Sequence, residues 1–200
     1  MRRILIMVLL LVFPSVVMAG EPTEILKVYT DKVIKVLEDP KLNKPQQRAK
    51  RYEILKSIVL EIFDIEELSK RTLGRHWRNM SIAERKEFQD VFLKFLEKHY
   101  ANRIDKTIGE KFSVEYVYEK IRGKYALVKS IIKTSTKGQY PVYYRMIRKK
   151  GRWVVYDVVI EGVSLVKNYR DQFREILSKK SYKELISMLK KKISEDKVKK

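Results

Sequence analysis

An α+β domain is predicted by two changes of period in the apolar residues, from helical to alternating and back. Apolar positions recur at helical spacing up to Tyr100, alternate between residues 112 and 159, and return to helical spacing after Ser164. Four alternating runs joined by short Gly-containing turns make a four-stranded antiparallel meander, and the helices before and after it pack against that sheet. With no cysteine, neither a disulfide framework nor a thiolate metal site is available, so the fold must rest on its apolar core. Residues 20–194 suffice for a single domain, and no Pro-, Gly- or Ser-rich linker divides them.

The first helix carries Ile25, Tyr29, Val33, Val36 and Leu37 on one face, with Thr23 placed to cap it and Pro40 to end it. Pro45 opens a second helix with Tyr52, Leu55, Ile58, Val59 and Ile62 in phase. Asp64 with Glu67 caps a short third helix closed by Gly74, which makes those carboxylates structural rather than catalytic. Ser81 with Glu84 forms a capping box for a long helix striped by Phe88, Val91, Phe92, Phe95, Leu96, His99 and Tyr100.

From residue 112 the period is two. Phe112, Val114, Tyr116 and Tyr118 share a phase, as do Ala126, Val128, Ser130 and Ile132, then Val142, Tyr144 and Met146, then Trp153, Val155, Asp157 and Val159. Gly123-Lys124, Lys137-Gly138 and Lys150-Gly151 mark the turns, and Glu161-Gly162 a bend where the last strand leaves the sheet. Leu127, Ile131, Ile147, Val154, Tyr156 and Val158 occupy the other phase, so parts of both faces should be covered. Two helices close the chain. Leu165, Val166, Tyr169, Phe173 and Ile176 stripe the first after Ser164; Tyr182, Leu185, Ile186, Leu189 and Ile193 stripe the second after Ser181.

Arg2 and Arg3, the apolar residues 4–17 and the small residues of Val17-Met18-Ala19 read as a signal peptide over residues 1–19. Its apolar run is shorter than the roughly 20 residues that span a bilayer, and Gly20 is not the cysteine of a lipid anchor. The formal charge is +20, or +18 without Arg2 and Arg3. In an exported protein this excess points away from nucleic acid. It leaves two readings open, attraction to anionic lipid headgroups or a solubilising surface without a specific partner. Residues 195–200 form a basic tail expected to fray.

The chemistry-bearing residues are few. His76 and His99 are the only histidines and do not stand at ligand spacing, the seven glycines form no phosphate cradle, and no G-x-S-x-G elbow is present. Ser164 reads as a helix cap. Asp157 is a charge in an apolar phase and needs a partner, such as Arg75, Arg78, Arg103 or a backbone amide. No catalytic residue, metal or cofactor is expected.

WVVYDVVIEGVSLVKNYRDQF over residues 153–173, GRHWR over 74–78, ERKEF over 84–88 and YANR over 100–103 resemble the MlaC family, also called the toluene-tolerance or ABC-transporter auxiliary family. The resemblance covers nearly the whole mature chain. It implies a curved sheet similar to the nuclear-transport-factor-like cone, packed with helices and joined to a helical lobe. It also implies a periplasmic carrier, not an enzyme, that holds a diacyl phospholipid by its tails. Partners implied are an inner-membrane ABC transporter presenting a substrate-binding ring and an outer-membrane lipoprotein with its porin, with transient contact to the membrane surface, by a monomer.

An aromatic-rich sheet facing apolar helices is ordinarily a core; the resemblance turns the same residues into a candidate acyl-chain pocket. Strand phase and helix stripe then nominate Leu73, Trp77, Phe88, Val91, Phe92, Phe95 and Tyr100 from the helices. From the strands they nominate Val128, Ile132, Val142, Tyr144, Met146, Trp153, Val155, Val159 and Val163. The alternative is a periplasmic adaptor with a solid core and no pocket. A lipid hydrolase lacks a credible nucleophile and base.

Overall fold

The computed structural model describes residues 21–136 and 138–195. The expected signal peptide, Lys137 of the second turn and the tail beyond Glu195 lie outside the described residues. Six helices and five strands run in the order α1 (Glu21–Glu38), α2 (Arg48–Ile62), α3 (Ile65–Leu73), α4 (Ile82–Asp105), β1 (Phe112–Arg122), β2 (Tyr125–Thr134), β3 (Gly138–Lys149), β4 (Arg152–Ile160), β5 (Val163–Ser164), α5 (Leu165–Lys179) and α6 (Tyr182–Glu195). Short 3-10 segments, Pro45–Gln47 and Gly74–Asn79, precede α2 and come after α3.

Capping chemistry sets several of these boundaries. The Asp64 side chain accepts from the Glu67 N–H, and Ser81 and Glu84 close a reciprocal capping box. Two expectations change. Pro45 starts the 3-10 segment, and α2 itself begins three residues later. Thr23 lies inside α1, where its N–H and hydroxyl both donate to Glu119 Oε2 at 2.9 and 2.6 Å instead of capping the helix.

The strands pair antiparallel in sequence order, and there are five rather than the expected four. Glu161 and Gly162 both have positive φ, 49° and 81°, the signature of a two-residue type I′ hairpin. The chain therefore turns back at this point, and β5 pairs with the end of β4.

Two bulges overturn the strict alternation. In β1, Tyr116 pairs with Ser130 and Tyr118 with Lys129, so Val117 is the extra residue. In β4, Val155 pairs with Met146 and Asp157 with Arg145, so Tyr156 is extra. Each extra residue moves the later positions of its strand to the opposite face. Phe112, Val114 and Tyr116 remain with Val128, Tyr144 and Val155 on one face, whereas Tyr118, Asp157 and Val159 join Lys129 and Tyr143 on the other.

Asp157 is fully buried at the seam between β4 and α5. Its Oδ2 accepts from Ser164 Oγ at 2.7 Å and Arg145 Nη1 at 2.9 Å, and its Oδ1 from the Val166 N–H at 2.9 Å. Ser164 Oγ in turn accepts from the Lys167 N–H, so the carboxylate and its serine each take one open N–H of the first turn of α5. The expected backbone partner is present; the arginine is Arg145 from the neighbouring strand rather than Arg75, Arg78 or Arg103.

A second buried charge joins α2 to the end of α4. Arg51 is 2% exposed and bonds Asp105 Oδ1 at 2.9 Å and the Leu42 carbonyl at 2.6 Å, while Arg48 takes the other carboxylate oxygen. Burial opposes ionisation of Asp105, but the hydrogen bonds from Arg48, Tyr52 and Arg51 outweigh it and hold the carboxyl below its usual range. The Tyr52 hydroxyl is pushed up to about 12, first by burial and then by Asp105.

Two stability measurements check these anchors. Asp157→Ala strands the Ser164 hydroxyl and the Val166 N–H, and urea titration is expected to show a loss of about 3 to 5 kcal/mol. Arg145→Ala should cost less, about 1 to 3 kcal/mol, because the Ser164 hydroxyl and the Val166 N–H still hold the carboxylate.

Asp105 contributes stability above its unfolded pKa of about 3.9, and that contribution is lost as the pH falls through the lower folded value. Asp105→Asn should therefore be less stable than the parent near neutrality and show a shallower decline into acid. Unfolding midpoints followed from about pH 7 to about pH 2 read both effects.

Candidate functional site

Among the described residues the buried apolar side chains form three clusters, and Phe63 packs against the first two. In the helical lobe, Leu68, Leu73, Trp77, Phe88, Val91, Phe92 and Phe95 pack against Val166, Tyr169, Phe173, Leu185, Ile186 and Leu189 of α5 and α6. Under α1, Leu26 and Ile62 lie on Ala126, Val128, Met146, Trp153 and Val155 of the sheet, flanked by Ile25, Tyr29, Phe63, Tyr116, Tyr144 and Val158. Between α1 and α2, Val36, Leu37, Leu55 and Ile58 meet Ile104 and Phe112. Tyr29 touches both of the latter clusters, so they join into one apolar layer between α1, α2 and the covered face of the sheet.

This division separates the residues nominated from sequence. Val128, Met146, Trp153 and Val155 lie in the layer under α1, with Tyr144 packed against them. Val142 and the half-buried Ile132 stand on the same face further along. Val159 is buried on the opposite face because of the Tyr156 bulge, and Val163 on β5 is 61% exposed. The helical nominees stay together, but in the lobe. Phe92 sits 5.3 Å from Phe88, 5.1 Å from Tyr169 and 5.3 Å from Phe173, centroid to centroid. Tyr100 reaches Tyr169, whose hydroxyl is pushed up mainly by burial and further by Tyr100.

The stripe on α4 therefore packs against α5 and α6, not the sheet. A cleft of about 260 Å³ does open beside Phe95, but Lys98, His99, Asn168, Gln172, Lys192 and Glu195 give it a largely polar wall. Such a wall suits acyl chains poorly.

Residues that sequence reasoning did not nominate supply the roof over the sheet: Ile25, Leu26 and Tyr29 of α1 with Ile62 and Phe63 at the end of α2. The apolar stripe of α1 was a visible signal; which of two helix groups faced the sheet was not. Asp64 N–H donates to the Val155 carbonyl at 2.9 Å and Phe63 bridges Val155, so the α2–α3 junction is tied to the edge of β4.

Polar latches hold α1 at its margins. Besides the two bonds from Thr23 to Glu119, Trp153 Nε1 donates to Glu21 Oε2 at 3.1 Å, and the Thr30 and Tyr116 hydroxyls bond each other. Beneath them Val128, Met146 and Val155 are fully covered. The arrangement is an apolar interior closed by a helix whose polar attachments lie along its rim.

Fold and site together define an α+β domain in which a helix roofs one apolar sheet face beside a helical lobe, with Phe63 packed against both. The family model described as MlaC protein matches residues 27–191, and the chain belongs to that family. It is 26% identical over 179 residues to the toluene tolerance protein ttg2D of Pseudomonas putida, covering 87% of this chain and 81% of that protein. It is 24% identical over 139 residues to the intermembrane phospholipid transport system binding protein MlaC of Haemophilus influenzae, covering 68% and 65% respectively. The fold is shared with a phospholipid-binding protein from Ralstonia solanacearum solved in complex with a phospholipid. There the TM-score is 0.79 at 20% identity, over 88% of this chain and 98% of that one. Among the described residues, no helix is long and apolar enough to cross a membrane.

The latches carry a prediction. Glu119→Ala removes the acceptor of both Thr23 bonds, and α1 amides are expected to exchange hydrogen roughly tenfold faster while α4 amides keep their protection. Unchanged exchange in α1 would mean that apolar packing alone holds the helix down.

Proposed function

We propose that this protein is a phospholipid carrier that holds acyl chains in the layer between the covered face of the sheet and the α1–α2 roof. The observation that carries the reading is a continuous apolar layer closed by a helix with polar attachments at its edge. Family membership and the phospholipid named for both the Haemophilus relative and the Ralstonia fold neighbour support it. The helical nominees, Leu73 through Tyr100, drop out of the pocket and become the lobe that steadies it.

Two acyl chains with about 30 methylenes, at roughly 0.8 kcal/mol each, face a cost on the order of 20 kcal/mol to enter water. A layer that replaces the bilayer's apolar surroundings removes most of that barrier without covalent chemistry. Because Val128, Met146 and Val155 are fully covered, chains enter only when α1 lifts. The thermodynamic cost of moving it is limited by breaking a few hydrogen bonds, each worth about 1 kcal/mol net, and by uncovering surface that the chains re-cover.

In this reading the protein works in the periplasm, exchanging lipid with an inner-membrane ABC transporter and an outer-membrane lipoprotein complex, and supplies binding rather than catalysis. The closed state of the layer also fits an adaptor with a solid core, and one experiment separates the two. Native mass spectrometry of protein prepared without detergent is expected to show about one diacyl phospholipid per chain. Val155→Trp should lower that occupancy by filling chain volume while changing the unfolding midpoint of lipid-free protein little. Protein that never carries lipid, with Val155→Trp destabilised by about 1 to 3 kcal/mol through overpacking, would establish the adaptor.

A further inference from the structure

The sheet face opposite the apolar layer is built in rows that the strand register defines. Tyr118, Lys129 and Tyr143 pair across β1, β2 and β3; Lys120, Leu127 and Arg145 form the next row; Arg122, Tyr125 and Ile147 the one after. The Val117 bulge creates this composition, since strict alternation would have turned Tyr118 towards α1.

Lys129 Nζ stands 5.0 Å from the ring centroids of both Tyr118 and Tyr143. Near the sheet's far corner, the Arg71 guanidinium of α3 lies 3.9 Å from the Tyr156 ring and 5.8 Å from that of Tyr125. Cations thus sit between aromatic rings across a broad surface whose Tyr118 and Tyr125 are 40% and 39% exposed. The carboxylates on this face are themselves paired with cations. Glu115 pairs with Lys133, and Asp157 is buried against Arg145 and α5.

A merely solubilising sheet face would not need half-exposed tyrosines and Leu127 among its lysines. In the periplasmic setting proposed above, the polyanion such a face meets is an anionic lipid headgroup layer rather than nucleic acid. Amphipathic rings with polar tips, interleaved with Lys and Arg, match the headgroup level of an anionic bilayer, where each cation gains about 1 kcal/mol and tyrosines are at home.

We propose that the face formed by Tyr118, Lys120, Arg122, Tyr125, Lys129 and Tyr143 docks this protein on anionic membrane surfaces. Docking by this face turns the α1 roof away from the bilayer. The protein is then concentrated at a membrane while its apolar layer stays available to a partner, and unassisted exchange of lipid with the bilayer beneath is disfavoured. The docking itself does not require that lipid be carried, so it is tested on lipid-free protein and can fail separately from the carrier reading.

The experiment is flotation with vesicles of phosphatidylcholine alone and of phosphatidylcholine containing phosphatidylglycerol. Salt is varied from about 0.01 M, where the Debye length is roughly 30 Å, to about 1 M, where it is roughly 3 Å. Binding is expected only to the anionic vesicles and to vanish at high salt. The double variant Lys120→Gln/Arg122→Gln should weaken it on the order of tenfold or more. Tyr118→Ala should weaken it several-fold, and circular dichroism confirms that both variants fold. Lys180→Gln/Lys183→Gln, an equal loss of charge at the start of α6, should leave binding nearly unchanged.

Equal weakening by the two double variants would overturn the proposal in favour of net charge acting without a defined face. No binding to anionic vesicles at low salt would also overturn it. So would retention on immobilised polyglutamate, lost in Lys120→Gln/Arg122→Gln, in the absence of vesicle binding: the face would then belong to an acidic protein.

Discussion

A carboxylate without access to water holds the sheet to the helical lobe. Asp157 receives a guanidinium from β3, a hydroxyl from the end of β5 and a backbone N–H from the first turn of α5. Removing a carboxylate from water is costly unless its lone pairs are occupied, and here the occupying donors are themselves groups that need an acceptor: a cap serine and an open helix N-terminus. The bond set works only if the chain reverses at Glu161-Gly162, because that hairpin returns Ser164 to a place beside β4. Once α5 starts there, Tyr169 and Phe173 are directed at Phe92, and the aromatic stripe of α4 is drawn into the lobe.

That chain of consequences leaves the sheet to α1 and α2. If α4 had covered the strands, the face would have met a stripe of large rings and been sealed into an ordinary core. Instead it meets shorter side chains from α1, Ile25 and Leu26, with Tyr29 bridging to the cluster that includes α2. The helix above the face is attached by Thr23, Glu21 and Thr30 at its margins. Lobe and layer therefore divide the work of the domain. Dense aromatic contacts stabilise the first, the second is held by apolar packing and the polar attachments of α1, and Phe63 packs against both.

Much of this was legible in the chain. Asp64, Ser81 and Gly74 mark helix ends through capping chemistry that needs only neighbours in sequence, and the period-two residues placed Val128, Met146 and Val155 on one face. The features that were not legible depend on a single inserted residue or on long-range choice. Nothing in the local pattern around Val117 or Tyr156 announces a bulge, because β-branched and aromatic residues fit a pleated strand on either face. A strict period of two therefore assigned Tyr118, Asp157 and Val159 to the wrong side. The stripe of α4 was read correctly as apolar, but periodicity reports that a face is buried and never against what. That is why Leu73, Trp77, Phe88, Val91, Phe92 and Phe95 were grouped with the strands, whereas they cluster with α5 and α6.

The two bulges do more than spoil alternation. By moving Tyr118 away from α1, the first leaves Glu119 on the covered face, where its carboxylate can hold Thr23. By moving Asp157 off that face, the second removes the one charge that would have stood beside Val155 in the apolar layer and delivers it to α5. A sheet with unbroken phase would carry a buried carboxylate among acyl-sized apolar side chains and leave the helix N-terminus without its acceptor. One extra residue in β4 thus keeps Asp157 out of the apolar layer and anchors the lobe, while one extra residue in β1 sets Glu119 at the rim of the layer to hold α1.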